Sequence, residues 1–379
     1  MTPKERIEAA LNFRSPDRTP VIIGISNATG IKMGTYRKLK EILGITAEER
    51  YLYDWPELGT ALVDEEALLR LNCDARGVWD RFPQEVYRRN RERDPHSDYI
   101  DDWGSGAKEI APGDWFPGVH PLADATTVGE IEEYACWPDM NDPYRVKHVA
   151  KEAAAIAERG TYAVMATPWL LFPLERAFAM QGMDRFLLNM AKHPEFAKAL
   201  LKRHLDLCKT LMANFLQKLG NNVDIVKIGD DLGTQERLMI SPAMYRNIVK
   251  PIHAEFISFI KERTNAKILF HTDGDVFDLI EDFIEMGIDI LNPVQTSAGR
   301  MSNLDRLKNR FGDRIVFCGG IDTQKILPLG TPDDVKREVK RVCRILGEGG
   351  GYILSSVHTI MNDVPPENIV AMVEAVEET

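Results

Sequence analysis

Residues 223–275 read VDIVKIGDDLGTQERLMISPAMYRNIVKPIHAEFISFIKERTNAKILFHTDGD. Two short apolar runs, 223–228 and 267–270, each end in a cluster of Gly, Asp, Thr or His, and a long amphipathic segment separates them. A continuous apolar run of that length, bounded by turn formers, is how a strand buried on both faces reads. Ser241 followed by Pro242 marks a helix start, with the hydroxyl at the N-cap and the proline at the first helical position. The stretch is therefore strand–helix–strand, a unit whose strands run parallel with a right-handed crossover.

The same alternation extends outward in both directions. Further apolar runs lie at 162–166, 288–291, 314–317 and 351–354. Helical segments fall at 194–219, at 276–286 before Gly287, at 333–346 before Gly347, and at 366–377. Glycine just past a helix is a common C-terminal stop. Two weaker strands are expected at 20–25 and 73–78, which brings the number to the eight that close a barrel. A doubly wound open sheet would show a glycine-rich turn after its first strand, and residues 25–30, ISNATG, do not supply one. The expected fold is α/β: a single (β/α)8 TIM barrel over residues 1–379, with an N-terminal extension and capping loops. Residues 79–143, with many Asp, Pro, Gly and Trp and poor periodicity, are expected to form an irregular segment capping one barrel mouth.

Composition agrees with this class. A chain of 379 residues suits a barrel of about 250 residues with an added segment. Apolar residues make up 44% and charged residues 28%, which excludes a disordered or fibrous chain. A formal charge of −11 disfavours nucleic acid and anionic membrane as partners. No apolar run approaches the roughly 20 residues of a membrane span, and the charged start MTPKER is unlike a signal-peptide core. Five scattered cysteines suggest a reduced protein without a disulfide framework, hence a cytoplasmic one.

Active sites of such barrels form where the strands end. The endings here are GDDLGTQ (229–235), HTDGD (271–275), NPVQ (292–295), CGGID (318–322) and SSVH (355–358). His271 and Asp273 are two residues apart, so on extended chain they share a side. With Cys318 and His358 from nearby strands they form a candidate set for a catalytic zinc with an open position. The alternatives are a His271 that hydrogen-bonds a loop, a Cys318 that packs as a small apolar residue, and an Asp273 that caps a helix. Of the adjacent Asp230 and Asp231, alternation turns only one into the mouth. Asp322 reads best as a helix N-cap, and His120 as a loop histidine or a lid residue. Residues 347–351, GEGGG, precede a strand and so belong to the opposite face.

Several of these stretches resemble the uroporphyrinogen decarboxylase superfamily: TPKERIEAALNFRSPDRTP (2–20), GDDLGTQ, HTDG, and the C-terminal set NPVQ, FCGGID, GGGYILSSVHTI and DVPPENI between 292 and 369. The resemblance implies a single (β/α)8 barrel. It also implies one of two activities: decarboxylation of the acetate side chains of a porphyrinogen, or zinc-dependent methyl transfer involving corrinoid proteins or thiols. The decarboxylase branch carries an Arg-Gln-Ala-Gly-Arg-Tyr stretch after its first strand, whereas here the chain reads ISNATGI from residue 25 and the next arginine is Arg37. A substrate with eight carboxylates needs such cations. The thiol methyltransferases carry His-x-Cys and a later Cys. Here His271 matches the first, Asp273 replaces the Cys, and Ser355, Ser356 and His358 stand at the last strand. Harder ligands favour an oxygen leaving group over a thiolate acceptor.

The expected function is thus a methyltransferase of the O-demethylase type. It takes a methyl group from a small methoxylated, aromatic substrate and gives it to the Co(I) corrinoid of a separate protein. The chain lacks the Asp-x-His-x-x-Gly element of corrinoid-binding domains, which is why the carrier is separate. Catalysis is assigned to Asp231, His271 and His358, with zinc or a protonated His271 or His358 meeting the departing oxygen. Substrate binding is assigned to Asp230, Asn292, Gln295 and Ser356, and metal binding to His271, Asp273, Cys318 and His358. Trp79, Trp103, Trp115 and Phe116 are candidate pocket walls or plain packing residues, and a homodimer is the candidate assembly. The alternatives are a decarboxylase of a smaller acid, anchored by Lys227 or Arg37, and a non-catalytic barrel that only binds.

Overall fold

The computed structural model describes residues 1–94, 97–111, 114–169 and 172–379. Seven parallel strands form the central sheet. In chain order they are β1 (Ala75–Val78), β5 (Ala163–Ala166), β6 (Ile225–Gly229), β7 (Lys267–His271), β8 (Ile290–Val294), β9 (Val316–Ile321) and β10 (Tyr352–Ser356). They pair in the order β1-β5-β6-β7-β8-β9-β10, and β6, β8, β9 and β10 are buried along their whole length. That double-sided burial is what the unbroken apolar runs encode.

No eighth strand forms at 20–25. Instead Val21 makes isolated parallel bridges to both edges of the sheet, to Leu354 on β10 and to Cys73 just before β1. The local chemistry explains the reduction. The Val21 N–H donates to the Asp74 carboxylate at 2.8 Å and not to a strand carbonyl. Gly24 then turns into the left-handed region (φ 76°), and its N–H donates to Thr29 O at 2.6 Å, which ends any extension.

Every strand from β6 to β10 also reaches further than its apolar run. His271, Asn292, Gly320, Ser355 and Ser356 lie within strands, so the polar endings begin as rungs of the sheet, while Asp231, Asp273 and His358 lie beyond them. Most expected helices are present, among them Pro194–Leu219 and Pro332–Leu346. Ser241 Oγ accepts the Met244 N–H at 3.2 Å, as an N-cap should. The helix it starts is broken by a π-helical turn, Tyr245–Val249, ahead of Lys250–Lys261. Pro251 lacks the N–H that would continue the α ladder, which accounts for the wider turn.

The segment 79–143 is not irregular among its described residues; 95–96 and 112–113 lie outside them. It holds the helices Gln84–Glu92 and Val128–Glu133 and an antiparallel sheet of β2 (Tyr99–Ile100), β3 (Gly106–Ala111) and β4 (Asp114–Val119). Phe82, Val86 and Tyr99 form a small core of their own, with Trp55, Tyr87, Trp115 and Trp169 packed on it. Arg176, 1% exposed, ties this sheet to the helix Pro173–Gln181. It donates to Asp101 Oδ2 at 2.9 Å and to Ser105 Oγ at 3.3 Å, with its guanidinium 4.3 Å from the centre of the Trp103 ring. Among the described residues no helix is long and apolar enough to cross a membrane, and none of the five cysteines is bridged.

Candidate active site at the strand ends

A small cavity of about 70 Å³ opens at the carboxyl ends of the strands. Lys227, Asp231 and His271 reach it from β6, its end and β7. His358 enters from beyond β10, and Asn27, Trp169 and Glu175 complete the wall. Broader and more open grooves exist, including one of about 720 Å³ lined by Asn221, Asp224 and Lys267, but that one lies where the strands begin.

Three metal-competent groups converge here. One ligand atom each from His271, Asp273 and His358 lies within 4.8 Å of the others. Each histidine Nε2 is 3.8 Å from Asp273 Oδ2, a gap one ion with bonds of about 2.0–2.2 Å can bridge. Asn292, opposite His271 in the register of β7 and β8, fixes the imidazole. Its Oδ1 lies 2.7 Å from His271 Nδ1, while its Nδ2 donates to Cys318 O at 3.2 Å. An amide oxygen only accepts, so Nδ1 carries the proton and the Nε2 lone pair faces Asp273. Asp273 Oδ1 is buried without a hydrogen-bond partner. A lone pair aimed at a carboxylate, beside an orphaned carboxylate oxygen, is a donor set that suits a cation. Two histidines and a carboxylate match the ligand types of a catalytic zinc.

The electrostatics follow from crowding acids in a closed space. Burial, reinforced by Asp231, pushes both Glu175 and Asp273 well above the ordinary carboxylate range. Burial pulls Lys227 down to about 8, against the attraction of Glu175, Asp231 and Asp273. Its Nζ donates to Asn27 Oδ1 at 2.8 Å. Burial, then the nearby Lys227 and His358, lower His271 well below its usual value, so at neutral pH it is an uncharged ligand. The protonated His271 expected from sequence is not supported.

Several assigned residues stand elsewhere. Cys318 is fully buried behind Asn292, with Sγ 3.6 Å from Nδ2, and is not among the converging donors. Burial raises its thiol to about 12. Asp230 faces away from the cavity and binds protein: its carboxylate accepts the N–H groups of Leu174 (3.0 Å) and Glu175 (2.7 Å) and contacts His253 Nε2 at 2.8 Å. Gln295 accepts from Gly274 N–H and donates to Gln235, and Ser356 Oγ donates to His358 O, so both brace loops. Asn292 positions His271, as described above. Asp231 Oδ1 accepts the Asp273 N–H at 2.9 Å while lining the cavity.

Of the candidate aromatics, Trp79, Trp103, Trp115 and Phe116 do not line the cavity; Trp169 does. His120 Nδ1 lies 2.8 Å from Ala179 O, away from the mouth, and Arg37 pairs with Glu49 on the surface. Asp322 caps its helix, accepting from Gln324, Lys325 and Ile326.

Glu175 was missed because it opens a helix, Pro173–Gln181, and does not end a strand. Phe172 at the N-cap offers no oxygen, so Asp230 from β6 supplies it. That bond points Glu175 into the cavity. A doublet of aspartates after a strand was the only available signal, and it does not name its partner.

The uroporphyrinogen decarboxylase (URO-D) family profile matches residues 117–379. The uroporphyrinogen decarboxylase of Legionella pneumophila (strain Corby) is 27% identical over 216 residues, which is 56% of this chain and 56% of that protein. That of Psychromonas ingrahamii is 38% identical over 71 residues, 19% of this chain and 20% of its own. The chain thus spans about half the length of the first of these relatives and less of the second. A methyltransferase from Methanosarcina mazei has a similar fold, with a TM-score of 0.70 at 19% identity over 100% of this chain and 99% of that one.

Proposed function

The chain belongs to the uroporphyrinogen decarboxylase family, and from that premise we propose that it is a methyltransferase, not a porphyrinogen decarboxylase. In this reading it removes a methyl group from a small methoxylated, aromatic compound and delivers it to the Co(I) corrinoid of a separate carrier protein. The observation that carries the proposal is the cavity wall. Three carboxyl groups (Glu175, Asp231 and Asp273) meet one lysine and two histidines there, with no arginine among the described residues. Eight substrate carboxylates would face acids in a low-dielectric pocket, and each unpaired buried charge costs several kcal/mol or more. A neutral methyl ether carries no such demand.

His271, Asp273 and His358 would hold zinc, which when bound supplies Lewis-acid polarisation of the ether oxygen. Asn292 presents His271 in the ligating tautomer. Asp231 pins the loop that carries Asp273 and, on the cavity side, orients the substrate. Trp169 closes one wall against water. The likeness of fold to a methyltransferase agrees with this assignment.

A second reading has one observation in its favour. Lys227 does reach the cavity, so a decarboxylase acting on a smaller acid would have its cationic anchor. Three incubations separate the readings: purified protein with uroporphyrinogen, with small carboxylic acids, and with methoxyaromatics plus a reduced corrinoid protein, following Co(I) loss by absorbance. Co(I) loss dependent on the methoxyaromatic is expected. Coproporphyrinogen formation at an enzymatic rate, or release of carbon dioxide from a small acid, would overturn the proposal.

A further inference from the structure

Demethylating an ether leaves an oxygen that needs a proton, and side chains that hold a metal ion through their lone pairs do not supply it. His271 is uncharged with its one N–H committed to Asn292. The cavity does contain a carboxyl group outside that cluster. Glu175 lines it from the first turn of Pro173–Gln181, and among the described residues its carboxyl group makes no hydrogen bond. Its backbone is held by Asp230, whose carboxylate contacts His253 Nε2, and the other ring nitrogen of His253 meets the Tyr245 hydroxyl. The start of this helix is fixed through its backbone, not through the acid.

We propose that Glu175 is the general acid of the reaction, giving its proton to the oxygen that departs from the methyl group. The inference rests on the methyltransferase reading above. In the step, the bond between methyl carbon and ether oxygen breaks and its electron pair stays on oxygen. The oxygen takes the proton of the Glu175 carboxyl group, so the product leaves as a neutral phenol. The methyl carbon accepts the electron pair of Co(I), which becomes Co(III). Glu175 remains as a carboxylate near the Lys227 ammonium and regains a proton from solvent before the next turnover.

The surroundings suit an acid that is protonated at rest. Asp230, Asp231 and Lys227 face it from β6 and its end, Asp273 from beyond β7, and His358 from across the cavity. Burial is the main cause that raises Glu175, and Asp231 and Asp230 add to it against the pull of the single lysine. Lys227 is the rival donor, but its ammonium is engaged by Asn27 Oδ1.

The test uses Glu175→Gln, with Lys227→Gln as a control, and para-substituted anisoles running from 4-methyl to 4-cyano with Co(I) cobalamin as acceptor. General acids contribute about 10²–10⁴-fold. Glu175→Gln should therefore lower kcat about 100-fold or more for 4-methylanisole, whose departing oxygen is strongly basic, and much less for 4-cyanoanisole. Infrared difference spectra should show a deuterium-sensitive carboxylic-acid C=O band in the wild type that is missing from Glu175→Gln. Equal loss across the series, or a steep dependence that follows Lys227→Gln instead, would overturn the inference and leave the function standing. Absence of the acid band from the wild type would overturn it whether or not methyl transfer is seen. A wild type inactive on every ether, with the band present, would instead remove the methyltransferase reading and the acid role with it.

Discussion

Asn292 works at both ends of its amide, orienting His271 through the oxygen and resting on Cys318 O through the nitrogen. Replacing it with Ala frees the imidazole, and loss of such outer partners weakens metal binding by about 10–100-fold. Competition for zinc against a chromogenic chelator checks this, with Asp273→Asn as the variant losing a ligand outright. Asp80 provides a second prediction. Burial raises it to about 6, although it accepts the Trp169 N–H at 2.6 Å. Its folded value exceeds the ordinary aspartate value of about 3.9, so between about pH 4 and 6 the native state binds more protons than the unfolded one, and stability falls as pH rises. Asp80→Asn keeps the acceptor and removes the charge, so it should gain about 3 kcal/mol on the wild type at pH 7 and nothing at pH 3.5. Urea unfolding at the two pH values measures the difference. At this scale the sequence shows His271 and His358 well, because a polar residue ending an apolar run is conspicuous. It shows nothing of Glu175 or Asn27, whose places depend on contacts 55 and 200 residues away in the chain.

Elements were legible where burial is two-sided. Strands β6 to β10 announce themselves as apolar runs, but the runs stop early because their last residues point polar groups into the mouth. The sheet β2-β3-β4 left no such trace, since Lys108, Glu109 and Ile110 on β3 are exposed and no alternation develops. The first strand was overread because an apolar run cannot reveal that a carboxylate, Asp74, takes the amide it needs. The helix Pro173–Gln181 depends on another element in the same way. Asp230→Ala strips its first free amides of their acceptor and leaves His253 buried without its partner. The expected cost is about 3 kcal/mol or more by chemical denaturation, with Asp230→Asn milder because one acceptor remains.

At the scale of the whole molecule, a ligand held only by the native state stabilises all of it. Zinc at 100 times its Kd should add about 2.7 kcal/mol, raising Tm by several degrees, more at pH 8 than at pH 5.5 because the ligands must be deprotonated. His358→Ala should abolish the shift, and differential scanning fluorimetry reads it directly. The small sheet and the site are also joined through one helix start. Glu175 and Arg176 are consecutive, yet the first faces the cavity and the second is locked to Asp101 beneath the small sheet. Any motion that lifts that sheet must either break a buried ion pair or drag the helix start with it. Neighbours in the chain thus make one lever, with the acid on its short arm and the small sheet on its long one.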